Sequence, residues 1–181
     1  MHGTIFAELE KFVTAQLGEG AWGKLTKEAG IAPGRTYKPR FIYPDEELVA
    51  LVQTGSKITG IPIPALLEAF GEFIAPQLLE MGRGSIQPSW RTLDVIEHTE
   101  ESMHTVVRLD MPGAAPPYLK ASRTSPTEVA VTYTSPRKLC AVGRGICRGI
   151  AKHYGESIEI EDTRCMHRGD SDCLMMVRSS K

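Results

Sequence analysis

The chain has 181 residues, enough for one domain with its own core or for two tightly joined subdomains. Hydrophobic residues make up 41% and charged residues 24%, and a formal net charge of −1 argues against non-specific attraction to nucleic acid or to an acidic membrane surface. No apolar run approaches the roughly 20 residues of a spanning helix, and Glu8 and Glu10 interrupt the first amphipathic stretch; the expectation is a cytoplasmic protein with no membrane span and no secretory signal.

In chain order, Ile5, Leu9, Phe12, Val13 and Leu17 recur at helical spacing, with Gly18 and Gly20 ending that segment. A short helix around Trp22, Leu25 and Ala29 is closed by Gly30 and Pro33. The next starts at Pro44-Asp45 and stops at Gly60, with Leu48, Leu51, Val52 and Ile58 on its apolar side. Pro64 opens another, where Leu67, Phe70, Ile74 and Leu78 share a face and Pro76 predicts a kink or an early end. Gly82 to Ser89 reads as a loop, and Trp90 to about Arg108 as one long helix. Met111 to Pro117 cannot be helical and is the expected joint between subdomains. Val129, Val131 and Tyr133 alternate as a strand. Leu139, Val142, Ile146, Ile150 and Tyr154 form a helix stopped by Gly155. Strands at Ile158–Ile160 and Leu174–Arg178 flank a hairpin turn at His167–Ser171.

Two units carry chemistry. Along an extended chain Tyr133, Ser135 and Arg137 point to one face, so a phenol, a hydroxyl and a guanidinium converge. That set suits carboxylates, each charged bond contributing roughly 1.5–3 kcal/mol. His104 lies beside the apolar stripe of the long helix. A neutral imidazole is the standard axial ligand of haem iron, and His98 on the same helix competes for that role.

Together these units resemble the H-NOX family, the haem–nitric-oxide-binding domains, over essentially the whole chain. Met1-His-Gly-Thr-Ile5 is similar to the family's opening, and Ala69-Phe-Gly-Glu-Phe73 to its mid-domain helix motif. Met103-His104, with Pro116-Pro117 beyond, resembles the proximal ligand and the proline segment that packs on the macrocycle. Tyr133, Ser135 and Arg137 fit its Tyr-x-Ser-x-Arg propionate clamp. The resemblance implies an α+β fold: an N-terminal helical subdomain of about residues 1–60, and a subdomain of about residues 61–181 with an antiparallel sheet, helices and a C-terminal zinc hairpin. Haem b sits between them, and the whole of 1–181 forms one haem domain.

The resemblance also implies a function. Ile5, Leu9, Ile74 and Val142 belong to the haem pocket. Leu9, Ile74 and Val142 stand where oxygen-binding members place a hydrogen-bonding Tyr and its polar support, so NO and CO are the expected ligands and stable O₂ binding is not. NO weakens the bond between iron and His104, the bond breaks, and the subdomains shift. The output then passes to a separate protein, by analogy a histidine kinase or a cyclic-di-nucleotide enzyme. No catalytic role is expected, since no nucleophile–base pattern, phosphate loop or placed carboxylate pair occurs.

The four cysteines lie at Cys140, Cys147, Cys165 and Cys173, and clustered cysteines in a reducing compartment point to metal or redox chemistry. A hairpin would bring Cys165 and Cys173 together. Cys140 and Cys147 are two turns apart, about 10 Å of rise, so both cannot easily bind one zinc. A zinc-bearing subset of H-NOX proteins has a cysteine at the place of Cys140 and a segment like Cys165-Met-His-x-Gly169. Its fourth ligand is a His just before or a Cys just after the first hairpin cysteine. Here those places hold Asp162 and Arg168, which leaves Asp162 or His167 as the fourth ligand. The same hairpin also resembles the 4-vinyl-reductase-like domains. On that alternative the chain is a haem-free small-molecule-binding regulatory module with structural zinc.

Overall fold

The structure is a computed structural model and describes residues 1–110 and 113–180. Met111 and Pro112, which open the expected joint, lie outside the described residues. Helix α1 (Gly3–Leu17) buries Phe6, Leu9, Phe12 and Val13 on one face and ends at Gly18, whose φ of 87° favours glycine. Helix α2 (Ala21–Glu28) is short and buries Leu25. Helix α3 (Asp45–Thr59) has Asp45, Glu46 and Glu47 in its first turn, where carboxylates favour the positive end of the helix, and stops at Gly60. Helix α4 (Ile63–Gly82) continues past Pro76, so the early end does not occur. Burial of Ala75 and Leu79 on either side offsets the hydrogen bond that Pro76 cannot donate.

The expected long helix is a run of three pieces: α5 (Thr92–Thr99), a π-helical segment (Glu100–His104) and α6 (Thr105–Asp110). The Thr99, Ser102 and Thr105 hydroxyls donate to the carbonyls of Val95, His98 and Glu100 at 2.7, 2.6 and 2.9 Å. Such bonds compete with the regular amide ladder and accompany its local widening.

Strands β1 (Tyr118–Ser125) and β2 (Glu128–Thr134) form a hairpin; α7 (Cys140–His153), β3 (Ser157–Arg164) and β4 (Cys173–Ser180) follow. All pairings are antiparallel, in the order β1-β2-β4-β3. The sequence reading missed β1 because its segment is mostly polar, with Leu119 and Ala121 as its aliphatic residues. It is an edge strand that charge helps to hold. Arg123 donates from its backbone amide and Nε to Glu97 at 3.1 and 2.9 Å, and from Nη2 to Asp94 at 2.6 Å.

Two apolar cores result. One joins α1, α2 and α3 to Phe70 and Ile74 of α4; the other joins Ala75 and Leu79 of α4 to α5, α7 and the sheet. Helix α4 thus serves both, and it packs on α7 with its backbone almost touching. A Cβ on Gly145 would lie 2.0 Å from the Glu68 carbonyl oxygen, and one on Gly71 would lie 2.2 Å from that of Val142. Gly145→Ala must therefore push the two helices apart. Its expected cost is about 1–3 kcal/mol, read as a lower urea midpoint with an unchanged slope.

Cys147 is buried in the second core, and burial pushes its thiol up to about 12 from the ordinary 9.0. A raised folded value favours the thiol form, so this contribution is complete below pH 9 and is lost as pH rises towards 12. Over that window the wild type should lose stability faster than Cys147→Ala, by about 1.4 kcal/mol per pH unit in paired denaturation curves.

Candidate haem site and metal centre

Between the two cores lies a cavity of about 1040 Å³, at the upper end of the roughly 300–1,000 Å³ usual for small-molecule sites. Its wall is mainly apolar. Of the sequence-predicted residues, Ile5, Leu9, His104, Pro116, Tyr133, Ser135, Arg137 and Val142 all line it. Ile74 is not part of this lining; it is sealed in the first core at 1% exposure. His98 does not line the cavity either. Its ring stacks on Trp90 with centroids 4.5 Å apart, and Nδ1 is 2.8 Å from the Asp94 carbonyl oxygen. The sequence left two histidines in competition, and of those two His104 lines the cavity.

The π-helical segment ends at His104 and turns its side chain inward, with 18% of that side chain exposed. Nδ1 lies 3.1 Å from Glu100 Oε2. Burial holds the imidazole below its ordinary value, against the opposite pull of Glu100. A neutral ring at physiological pH is the form that binds a metal.

The Tyr133, Ser135 and Arg137 group reaches the cavity differently from the expected alternation. Strand β2 stops at Thr134, and a turn closed by the Lys138 amide donating to the Ser135 carbonyl at 3.1 Å carries the rest, with Lys138 at a φ of 50°. Tyr133 is 4% exposed and its hydroxyl accepts from the Leu139 amide at 3.1 Å. Ser135 Oγ accepts from the Arg137 amide at 3.3 Å. The Arg137 guanidinium donates from Nε to Asp45 Oδ2 at 2.7 Å and from Nη1 to the Ala115 carbonyl at 2.6 Å. Asp45 also holds the N-terminal ammonium, which ties the clamp to the first core. A buried phenol, a buried hydroxyl and an oriented guanidinium at one end, an imidazole in the wall and apolar surface elsewhere fit a haem with its propionates at Arg137.

A second group lies beside the clamp, where Cys173 pairs with Tyr133 across β2 and β4 and Cys140 follows Leu139. The sulfurs of Cys140, Cys165 and Cys173 sit within 4.8 Å of one another, with Cys140–Cys165 at 3.9 Å and Cys165–Cys173 at 3.8 Å. Thiolates of a tetrahedral zinc, with Zn–S near 2.3 Å, stand about 3.8 Å apart, so the donor set fits that ion. Burial and the neighbouring thiols push Cys140 up to about 12. At Cys165 burial is outweighed by the His167 amide and by the thiols of Cys173 and Cys140, which hold it below the ordinary value. Cys147 lies outside the group.

Neither expected fourth ligand has closed on the thiols. His167 is exposed, and its Nε2 donates to the Lys138 carbonyl at 2.7 Å. Asp162 Oδ2 accepts from Arg144 Nη1 at 2.7 Å, and its buried Oδ1 has no hydrogen-bond partner among the described residues. Arg144, which the sequence reading missed, also donates to Glu68 on α4 at 2.6 Å and lies 4.0 Å from Cys140 Sγ.

Helices wrapped over an antiparallel sheet, with a histidine and a carboxylate clamp facing one apolar cavity, define a haem-binding sensor domain. A family model described as Haem-NO-binding (HNOB) matches residues 2–162, and the chain belongs to that family, the H-NOX domains. The structure is similar to that of an H-NOX protein from S. oneidensis in the Fe(II)NO ligation state, at 26% identity and a TM-score of 0.92 with 100% of each chain covered. It shares the fold of the unliganded Fe(II) H-NOX protein from K. algicida, at 20% identity and a TM-score of 0.89 over 100% of this chain and 97% of that one. Soluble guanylate cyclase gcy-35 of Caenorhabditis elegans is 29% identical over 82 residues, which are 45% of this chain and 12% of that protein. This chain therefore corresponds to a small part of that relative's length. Among the described residues no single helix is long and apolar enough to cross a membrane.

Proposed function

We propose that this chain is a haem-based nitric oxide sensor with His104 as the protein ligand of the iron. The observation that carries this is the placing of His104 in the wall of the same cavity that Tyr133, Ser135 and Arg137 line. Ferrous haem b would supply an iron able to take NO or CO, and His104 would be its protein ligand. Arg137, Tyr133 and Ser135 would hold the propionates, while Ile5, Leu9, Val142 and Pro116 would exclude water from the ring. Leu9 and Val142 offer no hydrogen bond to a polarised diatomic, which disfavours O₂. Release of His104 would free the π-helical segment and α6. The two subdomains, about residues 1–60 and 61–181, then move against each other, and their differential contacts make the change allosteric.

The domain is not itself catalytic on this reading. Its output passes to a separate histidine kinase or cyclic-di-nucleotide enzyme, and the resemblance to part of a guanylate cyclase supports nucleotide signalling. Zn(II) binds Cys140, Cys165 and Cys173 as a structural ion, with Asp162 as the fourth ligand because its buried Oδ1 has no hydrogen-bond partner among the described residues. The haem-free alternative leaves His104 and its carboxylate without a task.

The test is the absorption spectrum of the protein expressed with haem precursor and reduced with dithionite. A Soret band that shifts with NO and with CO, and in air shows no O₂ spectrum lasting beyond minutes, is expected. A persistent O₂ spectrum would contradict the selectivity, and a protein that stays colourless after haem addition would overturn the sensor reading.

A further inference from the structure

We propose that Glu100 is a positioning residue that sets how firmly His104 holds the iron, and that Arg108 attenuates it. This rests on the haem reading above. Glu100 opens the π-helical segment that His104 closes, and its carboxylate, 16% exposed, is shared three ways. Oε2 lies 3.1 Å from His104 Nδ1 and accepts from the Leu119 amide at 3.0 Å, while Oε1 accepts from Arg108 Nη1 at 2.7 Å. The Leu119 bond pins the carboxylate to β1, so it cannot swing away from the ring.

With Nδ1 donating to Glu100, Nε2 is the nitrogen left for iron. An acceptor that carries negative charge draws the Nδ1 proton towards itself and makes the ring a stronger donor at Nε2. A neutral carbonyl in the same place would do so less. The Arg108 guanidinium, only 34% exposed, neutralises part of the Glu100 charge and so weakens that effect. The same group also donates from Nη2 to the Pro117 carbonyl at 3.1 Å, beside the cavity-lining Pro116. Glu100 and Arg108 therefore act on one bond in opposite senses. Release of His104 is a balance set by this pair as well as by the gas.

The experiment is resonance Raman spectroscopy of the ferrous, haem-loaded protein, which reads the iron–histidine stretch directly, together with stopped-flow measurement of histidine release after NO is added. Glu100→Gln keeps the shape and an acceptor but removes the charge; it should lower the stretching frequency and speed release by about tenfold. Arg108→Ala leaves Glu100 anchored by Leu119 and should raise the frequency and slow release. Opposite shifts are the signature, since mere loosening of the helix would move both variants the same way. Two unmoved bands, or two bands lowered together, overturn the role of Glu100 while leaving the sensor intact. A wild-type protein with haem but no iron–histidine band overturns the His104 assignment and this inference with it.

Discussion

Replacing His104 by glycine is expected to cost more than about a hundredfold in haem affinity, because loss of the ligand itself must exceed the 10–100-fold usual for loss of its supporting partner. The substitution removes the imidazole from the cavity wall and leaves a ring-sized space with Glu100 still at its edge. Free imidazole should enter that space and restore the wild-type ferrous spectrum. The backbone penalty of a glycine in a helix is about 1 kcal/mol, small beside the stability of a domain of this size. Soret titration with and without imidazole measures both effects. Wild-type haem affinity in the glycine variant would move the ligand assignment elsewhere.

Removing the metal from the three-cysteine group should have an effect of similar weight on stability. Cys165 sits between Cys140 and Cys173 at 3.9 and 3.8 Å, so a single ion there would join the start of α7 to both ends of the β3–β4 turn. A structural zinc contributes on the order of 10 kcal/mol, and in a chain of this size each kcal/mol moves Tm by about 2–4 °C, so chelation should lower Tm by about 20 °C or more. Metal analysis should return one zinc per chain in the wild type and in Cys147→Ser, and none in Cys165→Ser. Asp162→Ala should weaken zinc retention in a chelator competition if Oδ1 supplies the fourth bond. A chelated protein that melts with the untreated one would remove the structural role.

How far the sequence carries varies from element to element for physical reasons. Helices α1, α3 and α7 and strand β2 were legible because their apolar residues recur with the period of the element and a glycine or a strand end punctuates them. Strand β1 was not, because an edge strand buries little. Its attachment depends on Arg123 meeting Asp94 and Glu97, residues far away in the chain. The π-helical segment was equally hidden, since three hydroxyls bonding back to carbonyls leave no mark on apolar spacing.

At the site, the sequence by itself determined the chemical types that converge and the family they resemble, because His104, the Tyr133–Arg137 group and the cysteines carry functional groups that few other residues supply. It also argued against a shared site for Cys147 and Cys140, since two turns of helical rise hold them about 10 Å apart. Only the tertiary structure decided which of these two histidines faces the cavity: His98 and His104 share one helical run, and packing stacks His98 on Trp90 while His104 lines the wall. It likewise placed Ile74 in the core, left Asp162 with a buried unpartnered oxygen, and brought Glu100, Arg108 and Leu119 onto one carboxylate. Glu100 had one sequence signal, an acid four residues before a histidine on a helix. Its bond to β1 depends on a strand the sequence reading missed, and hydrogen-bond partners across such distances are set by packing, which local periodicity does not encode.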